Sequence, residues 1–471
     1  MNSRPSNSST SESLSRRTFL GNAALGGAAA TILPAHLVRG QEGKTPPSKK
    51  VNVAIIGTGG QGIVNMKQLL NEPDARIVAL CDINKESDYS MFYYGGKAGL
   101  NPASEFVRKS YGESCATYHD YHEMLDKEDI DAVLIATPDH THGVIATDMI
   151  AKGKHLYCEK PLCRTVYEAR RVTEAAKKAG MATQLGNYGH SSEDIRLLCE
   201  WIWDGAIGDV TEVHAWTTTG ARRWTSFTDK PDERLPVPEG FDWERWLGPV
   251  PRRPYHSAYA PVRWRAWWQF GSGTIGDFAC HHLDSAFWAL KLDQCETFEI
   301  EASSHGLTAE TCPGASTIYF DVPSRAGMKP VRIHWYEGGV MPPRPAVLEA
   351  KRNLGDHGTL FVGSKGSILS GGWARSPRII PESKMREYKR PEKTLKRVNG
   401  HHRDWINACM GKGPASTHFD YSGPLTEFTL MGNVALRAGG KLSFDWKNMN
   451  VTNVEEANKF IKPGFREGVN I

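Results

Sequence analysis

The stretch VNVAIIGTGGQG, residues 51–62, decides the fold of the first part of the chain. A short apolar run of this kind is typical of a buried parallel strand, and it leads directly into a Gly-x-Gly-x-x-Gly turn. Such a turn lets the backbone approach a pyrophosphate closely, and the amides at the start of the following helix donate to its oxygens. The phosphates of a dinucleotide are therefore predicted to bind Gly57, Thr58, Gly59, Gly60, Gln61 and Gly62.

A second apolar run, RIVALCD, ends in Asp82, twenty residues after Gly62. A carboxylate at this place can accept hydrogen bonds from the ribose 2′-hydroxyl of a bound dinucleotide. The same carboxylate would repel a 2′-phosphate, so NAD is the predicted cofactor. Lys85 lies close by in the sequence and could pair with a 2′-phosphate, so NADP remains the alternative cofactor.

Short apolar runs alternate with helical patterns from residue 51 to residue 186. This alternation predicts an α/β fold, with a doubly wound parallel sheet of the Rossmann type. From residue 187 to residue 471 strand candidates dominate, separated by loops rich in Pro and Trp. They predict a second, α+β domain with a large open, mostly antiparallel sheet. The polar, Pro- and Lys-containing residues 41–50 are the predicted linker before the first domain.

The N-terminal segment, residues 1–40, resembles a twin-arginine (Tat) export signal. Ser15-Arg16-Arg17-Thr18-Phe19-Leu20 is followed by an uncharged Gly/Ala-rich stretch that is too short and too weakly apolar for a transmembrane helix. The expectation is a periplasmic or otherwise exported protein that meets the Tat translocase during export, with the signal either cleaved or kept as an anchor. The alternative is an unstructured tail with a chance pair of arginines.

The composition excludes several classes of function. The 471 residues are 40% hydrophobic and 23% charged, which is typical of globular proteins, and we expect no integral membrane span in the mature chain. The formal net charge is only +4 without a dense basic block, so nucleic acid is not an expected partner. The nine cysteines contain no Cys-x-x-Cys pair and are interpreted as buried thiols.

Two further motifs follow strands of the predicted parallel sheet. Residues 136–142, ATPDHTH, come after the fourth strand, and Glu159-Lys160-Pro161 comes after the fifth. Both lie at the carboxyl edge of the sheet, where ligands bind in open α/β folds. An amine at Lys160 beside a bound nicotinamide could donate to a substrate hydroxyl and help its proton leave. The alternative is a Glu-Lys pair on the surface at the end of a strand.

The segment GDFACHHLD, residues 276–284, carries a third group of ionisable side chains. If the segment is α-helical, Asp277 and His281 are four residues apart and share a face, with Asp284 one turn further on. A carboxylate beside an imidazole raises its basicity and fixes its orientation, as a general base for an alcohol proton requires. Two histidines between two aspartates also suggest a metal, but no typical ligand set completes such a site, and no metal is predicted.

Together these motifs resemble the glucose-fructose oxidoreductase and inositol dehydrogenase (Gfo/Idh/MocA) family, and within it a Tat-exported bacterial subgroup. The resemblance implies a Rossmann domain followed by an open-sheet domain that often mediates homo-oligomerisation. It also implies that Lys160 lies by the nicotinamide, that Asp277 binds or polarises the substrate and that His281 is the acid/base. Thr137, Pro138, His142 and Glu159 would line the cofactor, and the candidate substrate contacts are Asn187, Trp268, His282 and Asp284.

Three functions remain open at this stage. The first is an NAD(H)-dependent oxidoreductase acting on a CH–OH group of a sugar, polyol or glycoside, with a tightly bound cofactor because free NAD is scarce outside the cytoplasm. The second is a glycoside-cleaving enzyme that oxidises the sugar, eliminates the glycosidic group and returns the hydride, with no net redox change. The third is a sugar-binding protein without catalysis.

Overall fold

A computed structural model of the chain describes residues 49–91 and 95–469. The predicted export signal, residues 1–40, and most of the predicted linker lie outside these residues. Within the described part of the chain, no helix is long and apolar enough to cross a membrane.

The first part of the chain forms a six-stranded parallel sheet with the order β5-β2-β1-β6-β7-β8. Every residue of β1 is buried, because helices cover both faces of the sheet. This confirms the predicted Rossmann architecture. The strands are β1 Val51–Ile56, β2 Ala75–Cys81, β5 Ala116–Tyr118, β6 Ala132–Ile135, β7 His155–Cys158 and β8 Thr183–Leu185, and a separate ladder pairs β3 Ser87–Asp88 with β4 Lys97–Ala98.

Five helices connect these strands. Their ends follow ordinary capping rules: the Asp120 side chain accepts from an amide of the third helix, the Thr165 hydroxyl accepts from an amide of the fifth, and the fifth ends at Gly180 in the left-handed region. The helices are α1 Gly60–Leu69, α2 Leu100–Tyr111, α3 Tyr121–Lys127, α4 Asp139–Ala151 and α5 Val166–Ala179.

The second part of the chain builds a nine-stranded sheet with the order β15-β14-β13-β9-β12-β11-β10-β16-β17. Only the pair β9–β12 is parallel, so the prediction of a large, mostly antiparallel sheet is confirmed. The strands are β9 Val210–Thr217, β10 Thr297–His305, β11 Ala315–Val322, β12 Val331–Glu337, β13 His357–Gly363, β14 Gly366–Gly371, β15 Arg378–Ile380, β16 Lys441–Asp445 and β17 Asn450–Val451.

One face of the second sheet carries the main hydrophobic core, in which Ile333 and Phe361 pack with Phe428 of a long helix. Successive side chains of a strand point to opposite faces, and the other, outer face carries polar side chains such as Glu212 and His334. The remaining helices are α6 Glu193–Trp203, α7 Trp243–Leu247, α8 Cys280–His282, α9 Asp284–Ala289, α10 Glu382–Glu387, α11 His401–Cys409, α12 Phe419–Ala438 and α13 Asn458–Ile461.

Late helices return to the parallel sheet. Trp405 and Ile406 of α11 are fully buried in the core on one side of that sheet, and Phe419 of α12 is buried in the core on the other side. Arg403 forms ion pairs with Glu72 and Asp74 in the turn before β2. The two sheets are therefore held together by side chains far apart in the sequence, which keeps the cavity between them in a defined shape.

Candidate active site

A cavity of about 1170 Å³ lies where the carboxyl ends of the parallel strands face the second sheet. This is larger than the roughly 300–1,000 Å³ of a typical small-molecule pocket, so it has room for more than one drug-sized group. The glycine-rich turn lines one end. Lys160, Asp277 and His281 line the same cavity although they come from distant parts of the chain.

The glycine-rich turn fits a dinucleotide because side chains are excluded from it. Gly57 has φ +89°, and a Cβ atom there would lie 2.6 Å from the carbonyl oxygen of Ala136. A Cβ atom on Gly62 would collide with the carbonyl oxygen of Gly57. α1 begins at Gly60 without a side-chain cap, and the N-terminus of such a helix can offer backbone amides to phosphate oxygens. The glycine-rich turn and the start of α1 therefore fit the pyrophosphate of a dinucleotide.

Asp82 follows β2 and lies at the same end of the cavity. Its Oδ2 atom accepts hydrogen bonds from the Thr58 amide at 2.7 Å and the Thr58 hydroxyl at 3.0 Å, and its Oδ1 atom accepts from the Asn84 amide at 2.9 Å. Burial raises the pKa of the Asp82 carboxyl, and these donors act against the rise. Thr58, predicted to touch the cofactor, is fully buried and instead holds Asp82 in place.

Lys160 and Asp277 form the shortest charged contact of the cavity. The Lys160 Nζ atom lies 2.6 Å from Asp277 Oδ1 and donates also to the Asp277 carbonyl at 3.2 Å. Arg265 approaches the same carboxylate, with Nε 3.4 Å from Oδ1. Burial alone would raise the pKa of Asp277, but Arg265 and Lys160 outweigh it and hold the pKa below its ordinary value. The carboxylate therefore stays ionised beside the ammonium group.

His281 is oriented by Asn187, not by Asp277. The His281 Nδ1 atom lies 2.6 Å from Asn187 Oδ1, and Asn187 Nδ2 donates to Asp284 Oδ2 at 2.9 Å. Asp284 accepts a hydrogen bond from the side-chain nitrogen of Asn187, so the side-chain oxygen of Asn187 faces His281. Because this oxygen can only accept, His281 must carry its proton on Nδ1. Burial, aided by the charge of Lys160, lowers the pKa of His281 well below its ordinary value. Its neutral form leaves Nε2 as a proton acceptor.

The local backbone explains why the expected pairing of Asp277 with His281 does not occur. The segment expected to be one α-helix is a π-helix over Ile275–Ala279, followed by the short helix α8. A π turn changes the angular spacing of side chains, and such turns are common at functional sites. Both side chains reach the cavity, but Asp277 pairs with Lys160 while His281 bonds Asn187.

Two family models match the sequence of this chain. A family model described as "Oxidoreductase family, NAD-binding Rossmann fold" matches residues 51–187, and its companion, "Oxidoreductase family, C-terminal alpha/beta domain", matches residues 194–321. Together they match more than half of the chain. The chain belongs to the Gfo/Idh/MocA oxidoreductase family. Its first domain is accordingly an NAD-binding Rossmann domain, as predicted.

Two curated relatives of this chain are distant in sequence. Inositol 2-dehydrogenase 1 of Saccharopolyspora erythraea is 29% identical over 42% of this chain and 54% of its own length. The alpha-N-acetylgalactosaminidase of Shewanella oneidensis is 26% identical over 35% of this chain and 34% of its own. The match thus spans about a third to a half of these curated relatives.

A solved structure supports the fold of this Gfo/Idh/MocA chain. The WlbA dehydrogenase from Bordetella pertussis, in complex with NADH and UDP-GlcNAcA, superposes with a TM-score of 0.56 at 16% identity. The match covers 83% of this chain and 98% of that one. At this identity the likeness shows the shared fold.

Glu159 and His142, two predicted cofactor residues, form hydrogen-bonding contacts with other residues of this Gfo/Idh/MocA site. Glu159 lines the cavity and its Oε1 atom accepts from Asn65 Nδ2 at 2.7 Å, while burial raises the pKa of its carboxyl. His142 was expected to line the cofactor, but its ring lies behind the site. Its nitrogens lie 2.9 Å from the Pro161 carbonyl and 2.8 Å from the Thr137 carbonyl, so it ties the two motif loops together.

None of the four predicted substrate contacts lines the cavity of this Gfo/Idh/MocA fold, and Asn187, which is fully buried, contacts His281. Trp268 is buried and donates from Nε1 to the Thr308 carbonyl at 3.1 Å, so its side chain packs beneath the surface and does not line the cavity. His282 is fully buried and lies against Trp335 and Trp373. Asp284 is likewise buried, and it accepts a hydrogen bond from the Asn187 side chain, which in turn contacts His281.

The structure adds cavity residues that the motifs did not identify. Trp373 has φ +60° and stacks on Tyr188 at a centroid distance of 6.2 Å, with both rings lining the cavity near His281. Aromatic faces of this kind can pack on the apolar faces of a sugar ring. Arg265 was visible in the sequence only as part of a Trp-rich run. A positive φ at a Trp has no sequence signal, so this platform could not have been predicted.

Proposed function

We propose that this protein is an NAD-dependent oxidoreductase acting on a CH–OH group of a sugar, polyol or glycoside, with tightly held cofactor. One observation carries the proposal. The ammonium group of Lys160, the carboxylate of Asp277 and the neutral imidazole of His281 converge on the cavity that contains the glycine-rich turn. A proton acceptor and a hydroxyl-binding cation beside a dinucleotide site are what alcohol oxidation requires.

Each side chain has a defined task in this proposal. Bound NAD⁺ would accept the hydride from the carbinol carbon. Lys160 donates a hydrogen bond to the substrate oxygen, and its charge stabilises negative charge that develops there. His281 Nε2 takes the hydroxyl proton as the C=O bond forms, while Asn187 keeps the opposite ring nitrogen protonated. Asp277 holds the Lys160 ammonium at 2.6 Å and so fixes its direction.

The experiment uses the full protein purified without added nucleotide. Acid denaturation and mass spectrometry of the supernatant identify any dinucleotide that was carried along, and we expect stoichiometric NAD or NADH. A panel of sugars and polyols is then offered while NADH absorbance and fluorescence are followed. His281→Gln should bind NAD as wild type does but abolish reduction. If no dinucleotide binds to either protein, or if His281→Gln is fully active, the proposal is wrong.

A redox-neutral glycoside-cleaving activity is the second candidate. It is favoured by the similarity of this chain to the alpha-N-acetylgalactosaminidase named above. In that reaction the same base and cation would serve oxidation, elimination of the glycosidic group and return of the hydride. Chromogenic glycosides separate the two candidates: release of the aglycone without net NADH favours cleavage, and NADH accumulation with the glycosidic bond intact favours the dehydrogenase. A binding protein without catalysis would give neither.

We also propose export through the Tat pathway, on the evidence of the Arg16-Arg17 pair and the uncharged stretch that follows it. A protein exported in the folded state can carry its cofactor with it, which suits the tightly held NAD of the main proposal. Replacing both arginines by lysine should leave the protein in the cytoplasmic fraction, while the wild type is recovered outside it. Equal distribution of the two forms would contradict export by this route.

A further inference from the structure

A second cluster of side chains that can ligate a metal lies on the outer face of the nine-stranded sheet. Glu212 and His214 are on β9, two residues apart and therefore on one face. β12 runs parallel to β9, and His334 is the register partner of His214. None of these three residues lines the active-site cavity. The cluster is thus separate from the proposed chemistry.

The two imidazoles are oriented the same way. The Nδ1 atoms of His214 and His334 lie 3.0 Å and 3.2 Å from the Tyr336 hydroxyl. Their Nε2 atoms point to the opposite side, where they lie 3.3 Å and 3.9 Å from Glu212 Oε2. One ligand atom from each of the three residues lies within 4.8 Å of the others. A single ion could therefore contact all three.

The Nε2 atom of His214 has the Glu212 carboxylate beside it, and a shared metal ion would lie between the two groups. His334 Nε2 is buried and has no hydrogen-bond partner among the residues that the structure describes. Both imidazoles are largely enclosed by the protein, with side-chain exposures of 11% for His214 and 14% for His334. The nearby Arg332 cation is paired with Glu301 and Asp321 on the same face, which offsets its charge.

We propose that His214 Nε2, His334 Nε2 and the Glu212 carboxylate bind a divalent transition metal ion of the zinc type. Bond lengths of about 2.0–2.2 Å in a tetrahedral site place the ligand atoms about 3.4 Å apart. The 3.3 Å contact already matches, and the 3.9 Å contact must close by a few tenths of an ångström. The two histidine ligand atoms, which lie within 4.8 Å of each other, must also draw together by rotation of the rings. The Tyr336 hydroxyl accepts from both Nδ1–H groups, as the outer partners of metal-bound histidines do. The fourth position is left for water.

The test is zinc binding by the full chain without an affinity tag, after metal removal with EDTA. Isothermal titration should find one Zn²⁺ site that Glu212→Gln abolishes, and Co²⁺ should give the intense visible absorption of a four-coordinate ion in wild type alone. Glu212 is 49% exposed, so the isosteric change should leave the metal-free unfolding temperature unaltered. Tyr336→Phe should weaken binding by roughly 10–100-fold while keeping the stoichiometry.

His305→Ala is the matched control, because His305 is an exposed histidine on β10 of the same sheet. It should bind zinc as wild type does, whereas His334→Ala should not. The proposal is overturned if Glu212→Gln and wild type bind zinc with the same affinity, or if cobalt remains six-coordinate and nearly colourless in wild type. Turnover of the NAD site is measured in parallel and should not respond to Glu212→Gln.

Discussion

The Nδ1 atom of His281 and the Oδ1 atom of Asn187 lie 2.6 Å apart, and this contact decides which nitrogen of His281 faces the cavity. Asn187 is itself fixed by Asp284, which also accepts from the Tyr421 hydroxyl at 2.6 Å. A buried chain of hydrogen bonds thus runs from α12 to the imidazole. Asn187 is a positioning residue of the candidate site.

Asn187→Ala should lower kcat with little change in the dissociation constant of NAD. Loss of the acceptor leaves the buried N–H of the His281 imidazole without a partner, which costs about 1–3 kcal/mol of free energy. It also frees the ring to adopt the other tautomer. We expect kcat to fall roughly 10–100-fold, with KM for the substrate nearly constant. Steady-state kinetics and NAD titration measure the two quantities.

The control for that variant is Asn433→Ala, which removes a different partly buried amide that donates to the Ser272 carbonyl at 2.8 Å. It should leave kcat near the wild-type value. A retained kcat in Asn187→Ala, or an equal loss in both variants, would show that Asn187 does not position His281.

Lys160→Met should remove turnover while preserving the fold and NAD binding. The thioether keeps most of the length of the side chain but cannot donate to a substrate oxygen, and a positioned proton-handling group typically contributes 10²–10⁴-fold. The pKa of Asp277 should rise at the same time, because Lys160 is one of the cations that hold it down. Stopped-flow NADH formation measures the first effect.

Lys154→Met serves for comparison, since the Lys154 ammonium donates to the Ile130 carbonyl outside the cavity. That variant should be as active as wild type. Lys160→Met with more than a tenth of wild-type turnover would remove Lys160 from the proposed mechanism.

The sequence predicted the fold, and which residues lie at the cavity, better than it predicted the hydrogen bonds between those residues. The glycine-rich turn and the alternation of apolar runs with helical patterns are local signals that predicted the first sheet. The strand candidates after residue 187 are local signals as well, and they predicted the second sheet. Contacts across 94 positions, such as His281 with Asn187, depend on how a loop after β8 meets a π turn, and no local pattern encodes that meeting. Trp268 illustrates the same limit: an aromatic run shows that packing occurs, but not which side chain faces the cavity.

Asp82→Asn should shift cofactor preference from NAD towards NADP. The carboxylate is replaced by an amide that can still accept one hydrogen bond, while the negative charge that repels a 2′-phosphate is removed. A hydrogen bond to a charged group is worth about 1.5–3 kcal/mol, so NAD affinity should fall roughly 10–100-fold. Titration with both dinucleotides gives the ratio of dissociation constants.

The ratio is the informative quantity in that experiment, because Asp82 also holds Thr58 and its loss can loosen the whole turn. Loosening weakens both dinucleotides alike and leaves the ratio unchanged. An unchanged ratio would therefore assign Asp82 to the support of the turn and not to the choice of cofactor.

Glu337→Gln should stabilise the protein more at pH 8 than at pH 5. Burial raises the pKa of the Glu337 carboxyl to about 7, although the Trp335 indole donates to it at 2.9 Å. An acid whose folded pKa exceeds its unfolded value loses stability as pH rises from about 4.5 to 7, because ionisation is resisted only in the fold. With about 1.4 kcal/mol per pKa unit, the wild type should lose about 3 kcal/mol relative to Glu337→Gln across this window.

Urea unfolding of both proteins at each pH measures this difference, and other titrating groups cancel in the comparison. The exposed Glu456 offers a control, since Glu456→Gln should change the free energy of unfolding by nearly the same small amount at both pH values. A difference between wild type and Glu337→Gln that is constant from pH 5 to pH 8 would mean that the carboxyl titrates normally in the fold. In that case water reaches the Glu337 carboxyl at the end of β12 in the folded protein.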